Sequence, residues 1–185
     1  MQTEIIIAGF GGQGILFAGQ LLAYAALDAG LEVTWIPSYG PEMRGGTANC
    51  TVTISDEEIG APTVRHPTAA MLFNLPSFDK YEPQVTPGGV CIANQSLMDR
   101  GFRRTDLNAV MIPANEIAET LGDKRLTNMV MMGALLELLP VLNIEAIEKT
   151  LGTHLPERHR RLLPLNSKAL REGAVFAQNV MKVPA

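Results

Sequence analysis

The chain has 185 residues, of which 46% are hydrophobic and 18% charged, and it carries a formal net charge of −4. That profile excludes a disordered chain, and the acidic balance argues against nucleic acid as the main partner. No apolar run reaches the roughly 18 residues that a bilayer span requires, which argues against a membrane partner.

The length suits a single domain, residues 1–185, with a sizeable core. The low charged fraction points to surface covered by other chains. The first residues lead into an apolar run without a basic leader, so a cytoplasmic location is expected.

In chain order, "TEIIIAG" is a short apolar run closed by glycine, the pattern of a buried strand. "QGILFAGQLLAYAALDAG" then spaces apolar residues as a helix does and stops at Gly30. "EVTWI" is a second strand. "NCTVTI" alternates Cys50, Val52 and Ile54 with Thr51 and Thr53, which predicts a strand with one wet or interfacial face. "AAMLFNL", "GGVCIAN" and "NAVMIPA" predict three more strands.

Helices are predicted over "NEIAETL", "LTNMVMMGALLELL", "IEAIEKTL" and a long final segment interrupted at Pro164. The "NMVMMGALLELL" helix is apolar nearly all round and should be buried on several sides, with Met129, Met131 and Met132 as core filling or as an adaptable partner surface. Thr127 and Asn128 are expected to cap it, with Asn128 also reaching the ligand side. Strands alternating with helices predict an α/β fold: a three-layer α/β/α sandwich, Rossmann-like, with a mostly parallel sheet and some antiparallel strands.

"GFGGQG" places Gly9, Gly11 and Gly14 in a G-x-G-x-x-G pattern between the first strand and the first helix. Such glycines allow a tight turn and close approach of a ligand at a helix N-terminus, or close packing of helix on strand. A dinucleotide site also needs an acidic residue at the far end of the second strand, and Glu32 lies at its beginning. A free-standing flavin- or NAD-binding protein is therefore the weaker alternative. Cys50 and Cys91 stand apart, with no C-x-x-C pair, and read as buried thiols that cannot hold a cluster or zinc alone. Arg158, Arg160 and Arg161 form a basic cluster, read first as a solvated helix face. No residue is assigned a catalytic or metal-ligating role.

The loop "SYGPEMRGGT" sets Glu42 and Arg44 among glycine and proline. Glycine is costly to order, so a loop of this composition with a charge pair suggests a ligand or a partner. The Arg44 guanidinium is a rigid fork suited to phosphate or carboxylate, and Tyr39 offers an aromatic face with a polar tip.

Taken in order, "GFGGQGILFAGQLLAYAALDAG", "SYGPEMRGGTANCTVTISDEEIGAP", "TNMVMMGALLELL" and "LNSKALREG" resemble the gamma subunit of the 2-oxoacid:ferredoxin oxidoreductases. The loop is similar to the 2-oxoglutarate or branched-chain 2-oxoacid type. "VCIANQS" and "FNLPSFDKY" depart from segments common among relatives.

The resemblance implies an enzyme subunit, inactive alone, in a complex that oxidatively decarboxylates a 2-oxoacid, acylates coenzyme A and passes electrons to ferredoxin. It implies alpha and beta partner chains, and a delta ferredoxin-like one, carrying thiamine diphosphate and iron–sulfur clusters. A homodimer could form when the chain is isolated. On this basis the residues expected on the coenzyme A side are Gly11, Gly12, Gln13, Gly14, Ser38, Tyr39, Glu42, Arg44, Gly45, Gly46, Thr47 and Asn128. The second loop's role stays open between a subunit interface, coenzyme A lining and an internal staple, and a pure scaffold subunit remains an alternative.

Overall fold

A computed structural model of the chain describes residues 1–39, 47–61, 63–155 and 157–182. Consecutive isoleucines at 5, 6 and 7 give β1 (Gln2–Phe10) two apolar faces, and it lies inside a six-stranded sheet. Helix α1 (Ile15–Asp28) leads to β2 (Glu32–Tyr39), and β3 (Thr47–Ser55) returns between β2 and β1. Beyond β1 lie β4 (Ala69–Leu72), β5 (Val90–Asn94) and β6 (Asn108–Ile112), giving the order β2-β3-β1-β4-β5-β6. β3 is antiparallel to both of its neighbours, whereas the β1–β4, β4–β5 and β5–β6 pairs are parallel. This is the mixed, mostly parallel sheet that the strand spacing predicts.

The register fixes which loops are neighbours. Phe10 pairs with Thr47, and Tyr39 with Ala48, so the carboxyl ends of β1 and β2 and the start of β3 share one edge. The chain crosses from one side of β1 to the other after β3. A reversal of this kind opens a crevice at the carboxyl ends of the strands.

The two faces of the sheet are covered unequally. One carries α1 with α3 (Ala114–Thr120), α4 (Thr127–Leu138), α5 (Ile144–His154) and α6 (Leu163–Lys182), which bury the large core. Pro164 falls in the first turn of α6, where the missing N–H costs nothing. The other face carries α2 (Leu75–Tyr81), absent from the sequence reading, with the 3₁₀ turn at Glu82–Gln84. Asn74 accepts from the Ser77 N–H (2.9 Å) and Pro76 sits in the first turn, so this short helix carries its own start signal.

Residues 98–107 complete the thin layer through Glu82, which is 1% exposed. Its carboxylate accepts from Arg100 Nη1 (2.9 Å) and from the backbone N–H groups of Arg103 (2.6 Å) and Arg104 (3.1 Å). The Arg100 guanidinium also lies 4.2 Å over the Phe78 ring, so a charged clasp does here what a helix does on the other face.

Helix α4 is buried from Thr127 to Leu136, including Met129, Met131 and Met132 as core filling. It crosses α6 with almost no gap. A Cβ on Gly133 would sit 1.8 Å from Leu170 O, and one on Gly173 would sit 1.9 Å from Val130 O.

Candidate functional site

Four of the expected residues form one loop. Gly12 (φ 96°) and Gly14 (φ 75°) occupy the left-handed region, where glycine alone is free of strain. The Phe10 N–H donates to Gln13 Oε1 (2.6 Å), and Gln13 N–H donates to Phe10 O (3.2 Å), so the Gln13 side chain staples the turn. Gly9 must be glycine for a steric reason: a Cβ there would lie 2.6 Å from Gln13 Oε1 and 2.7 Å from Phe73 Cβ. Gly11 and Gly12 are exposed at the tip, and Gly14 begins α1 without a side-chain cap.

Asn128 joins this loop from 114 positions away. It is 6% exposed, and its Nδ2 donates to Gly14 O (3.5 Å). Its Oδ1 has no partner among the described residues. The expectation that Thr127 and Asn128 cap α4 is not met. Leu126 holds the cap position, Thr127 Oγ1 turns back to Lys124 O (2.9 Å) and Asn115 Oδ1 (3.3 Å), and Asn128 is spent on the glycine loop. Asn128 stands instead beside the glycine loop, at the edge of a cleft.

The glycine loop and Asn128 line one wall of an open cleft of about 730 Å³. The α3–α4 turn, Asp123 to Leu126, also lines it, with Asn115 and with Phe17 of α1. Sequence reasoning missed Phe17, Asn115, Lys124 and Arg125. The signal was a charged turn, "DKR", set directly before an apolar helix. Asn94, fully buried at the end of β5, fixes Asn115: its Nδ2 donates to Asn115 Oδ1 (3.1 Å) and its Oδ1 accepts from the Ala114 N–H (3.3 Å).

In the turn, Arg125 donates from Nε and Nη2 to both Asp123 oxygens (2.6–3.1 Å). This fork, with the Arg125 N–H, holds the Asp123 carboxyl down to about 2. Lys124 pairs with Glu119 (2.9 Å) at the surface.

Of the second predicted loop, Ser38 and Tyr39 belong to the end of β2 and Thr47 opens β3, beside Phe10 of β1. Ser38 and Thr47 are exposed. Glu42, Arg44, Gly45 and Gly46 lie outside the described residues, as does the Tyr39 side chain. Arg160 and Arg161 are exposed, as a solvated face requires; the Arg158 side chain lies outside the described residues.

The topology lends the dinucleotide alternative no support: β3 separates β2 from β1, and Glu32 lies at the opposite end of β2 from the glycine loop. Cys50 and Cys91 are buried in the two cores on opposite faces of the sheet and cannot share a cluster. Burial raises both thiols, Cys50 to about 11.

Comparison with known proteins agrees with this architecture. Ketoisovalerate oxidoreductase subunit VorA of Methanothermobacter marburgensis is 36% identical over 178 residues, 96% of this chain but 37% of the relative. The chain thus spans little more than a third of that relative's length. The keto/oxoacid ferredoxin oxidoreductase gamma subunit of Geobacter sulfurreducens superposes with a TM-score of 0.81 at 30% identity, covering 96% of this chain and 99% of that one. The 2-oxoglutarate:ferredoxin oxidoreductase of Magnetococcus marinus, solved with 2-oxoglutarate, coenzyme A and succinyl-CoA bound, gives a TM-score of 0.88 at 25% identity. It covers 98% of this chain and 32% of that one. Residues 4–176 match the family described as pyruvate ferredoxin/flavodoxin oxidoreductase, and the chain belongs to it.

Proposed function

We propose that this chain is the gamma subunit of a cytoplasmic, multi-subunit 2-oxoacid:ferredoxin oxidoreductase, a single gamma domain over residues 1–185. The complex would convert 2-oxoglutarate or a branched-chain 2-oxoacid to its coenzyme A thioester and pass the electrons to ferredoxin. The observation that carries this reading is the placement of the glycine loop, Asn128 and the ends of the 39–47 connection along one edge of the sheet. It is supported by family membership and by a close structural neighbour solved with coenzyme A.

Thiamine diphosphate and the iron–sulfur clusters are assigned to alpha, beta and ferredoxin-like partner chains. The donor set of this chain does not fit a cluster, because its two thiols face away from each other into separate cores. Its own residues would bind and orient coenzyme A, and its exposed strand ends would meet partner chains. Among the described residues no helix is long and apolar enough to cross a membrane.

Tagged purification from the source cells, with mass spectrometry of the co-purifying chains, tests the proposal. Recovery of thiamine-diphosphate-binding and cluster-bearing chains is expected. Recovery of this chain alone, loaded with flavin or a nicotinamide nucleotide, would overturn it.

A further inference from the structure

One side of the sheet ends on a long strand. β2 is the outermost strand and pairs only with β3. Half of the N–H and C=O groups of such a strand point away from its single neighbour and invite a further strand. Edges are ordinarily blunted by shortness, lysine or inward charges. β2 is eight residues long, and its centre, Val33-Thr34-Trp35-Ile36, is an uncharged run of strand formers with Ile36 43% exposed. Pro37 limits pairing only beyond that run. The opposite edge, β6, is five residues long and lies against α6 and the turn at 95–97.

Helix α1 lies over the β2 edge: a Cβ on Gly19 would sit 3.0 Å from Trp35 Nε1. Its fourteen residues carry one charge, Asp28. A helix apolar all round belongs in an interior, yet Phe17, Tyr24 and Leu27 are exposed, Leu27 by 55%. Tyr24 stacks on His154 of α5 (centroids 4.4 Å apart), and Asp28 accepts from Thr150 Oγ1 (3.1 Å). α5 therefore covers that flank, and the helical period turns Leu16, Gln20 and Leu27 toward the β2 edge. Strand edge and helix flank make one continuous face of low charge, the mark of an interface.

We infer that this face pairs with the same face of a second copy, β2 against β2 antiparallel across a two-fold axis, so that two six-stranded sheets become one of twelve. With strands about 4.8 Å apart, α1 over β2 and β3 stands about 10–14 Å from its mate, near enough for long side chains such as Gln20 and Leu27 to meet. The charges select this arrangement. Asp28 and Glu32 lie together at one end of the face, and neither element carries lysine or arginine. An antiparallel mate sets its acids at the far end, whereas a parallel one would bring four carboxylates together. No cation is present to select an acidic partner. A face about 26 Å long and two elements wide covers on the order of 500 Å² per copy, about 1,000 Å² in all, which is the lower bound for a specific pair. The dimer therefore dissociates on dilution. The inference is independent of the coenzyme A reading; within the proposed complex it joins two gamma chains.

Sedimentation equilibrium of the full chain over a dilution series tests it, with hydrogen exchange followed at the same concentrations. A monomer–dimer equilibrium is expected. The N–H groups of Val33 to Ile36 that point away from β3 should be protected in the dimer and exchange faster on dilution, while those of β6 do not change. Leu27→Lys and Ile36→Lys should each raise the dissociation constant about 10-fold or more, and Val175→Lys, comparably exposed on α6, should not. All three side chains are exposed, so none is needed for folding.

A chain that is monomeric at every concentration, or a dimer that neither Leu27→Lys nor Ile36→Lys weakens, would overturn the inference. So would a monomeric chain that co-purifies with a different chain and loses it in those two variants, since the face then belongs to that partner.

Discussion

Gly133 and Gly173 lie in the middle of helices and meet the backbone of the opposing helix at distances no side chain could survive, whereas Gly12 and Gly14 lie in a turn and supply a backbone angle. The first pair is required by what is outside the residue, the second by what is within it. The difference teaches that a glycine's cost of substitution depends on its surroundings more than on its secondary structure. In an isolated helix Gly→Ala gains about 1 kcal/mol, but at the α4–α6 crossing the sign reverses.

That reversal gives the largest expected effect. Gly133→Ala or Gly173→Ala must push two helices apart against a carbonyl less than 2 Å away. It should cost about 3 kcal/mol or more, or prevent folding, as read by chemical denaturation. Stability equal to the wild type would show that the crossing yields, and the contrast would collapse.

The loop glycines should separate from each other next. Gly12→Ala meets open space and should lose only the strain of a left-handed alanine, roughly 1–2 kcal/mol. Gly14→Ala carries the same strain and also places a Cβ 2.4 Å from Asn128 Nδ2, so it should be the more destabilising and should alone disturb the cleft. Equal losses in the two variants would remove Asn128 from the site's support.

The smallest effect concerns the charged wall. Asp123 has its pKa lowered to about 2 by Arg125 and titrates near 4 when unfolded. Its contribution is present above about pH 4 and lost as the pH falls through about 2. Arg125→Ala should remove the side-chain share of that acid dependence, the backbone N–H at 125 still bonding Asp123, while leaving stability at pH 7 nearly unchanged. An acid titration of both proteins checks it.

How far the sequence could be read follows the same division. The glycine loop was legible because its signal is local: an apolar run, three spaced glycines, then a helical period. The mixed sheet was legible from the close succession of middle strands. The meeting of Asn128 with Gly14 was not, since it depends on two helices packing across 114 positions. Nor was the Glu82 clasp, whose partners lie 18 to 22 residues away on a segment without periodicity. The start signal of α2, Asn74 followed by Pro76, was present and passed over because the run is only seven residues long. Arg125 was overlooked because a short charged turn ordinarily marks solvent, and only the fold shows that this one faces a cleft.

The α4–α6 crossing has a consequence for selectivity. Asn128 and Val130 share the first turn of α4, and the Val130 carbonyl is pressed against Gly173, so the part of the cleft floor that Asn128 forms is anchored by a backbone crossing rather than by adjustable side chains. A floor of that kind does not sink to admit a bulkier guest. It acts as a fixed gauge of depth, and whatever tolerance the cleft has for different ligands resides in its rim, where Phe17, Lys124 and Arg125 can change rotamer.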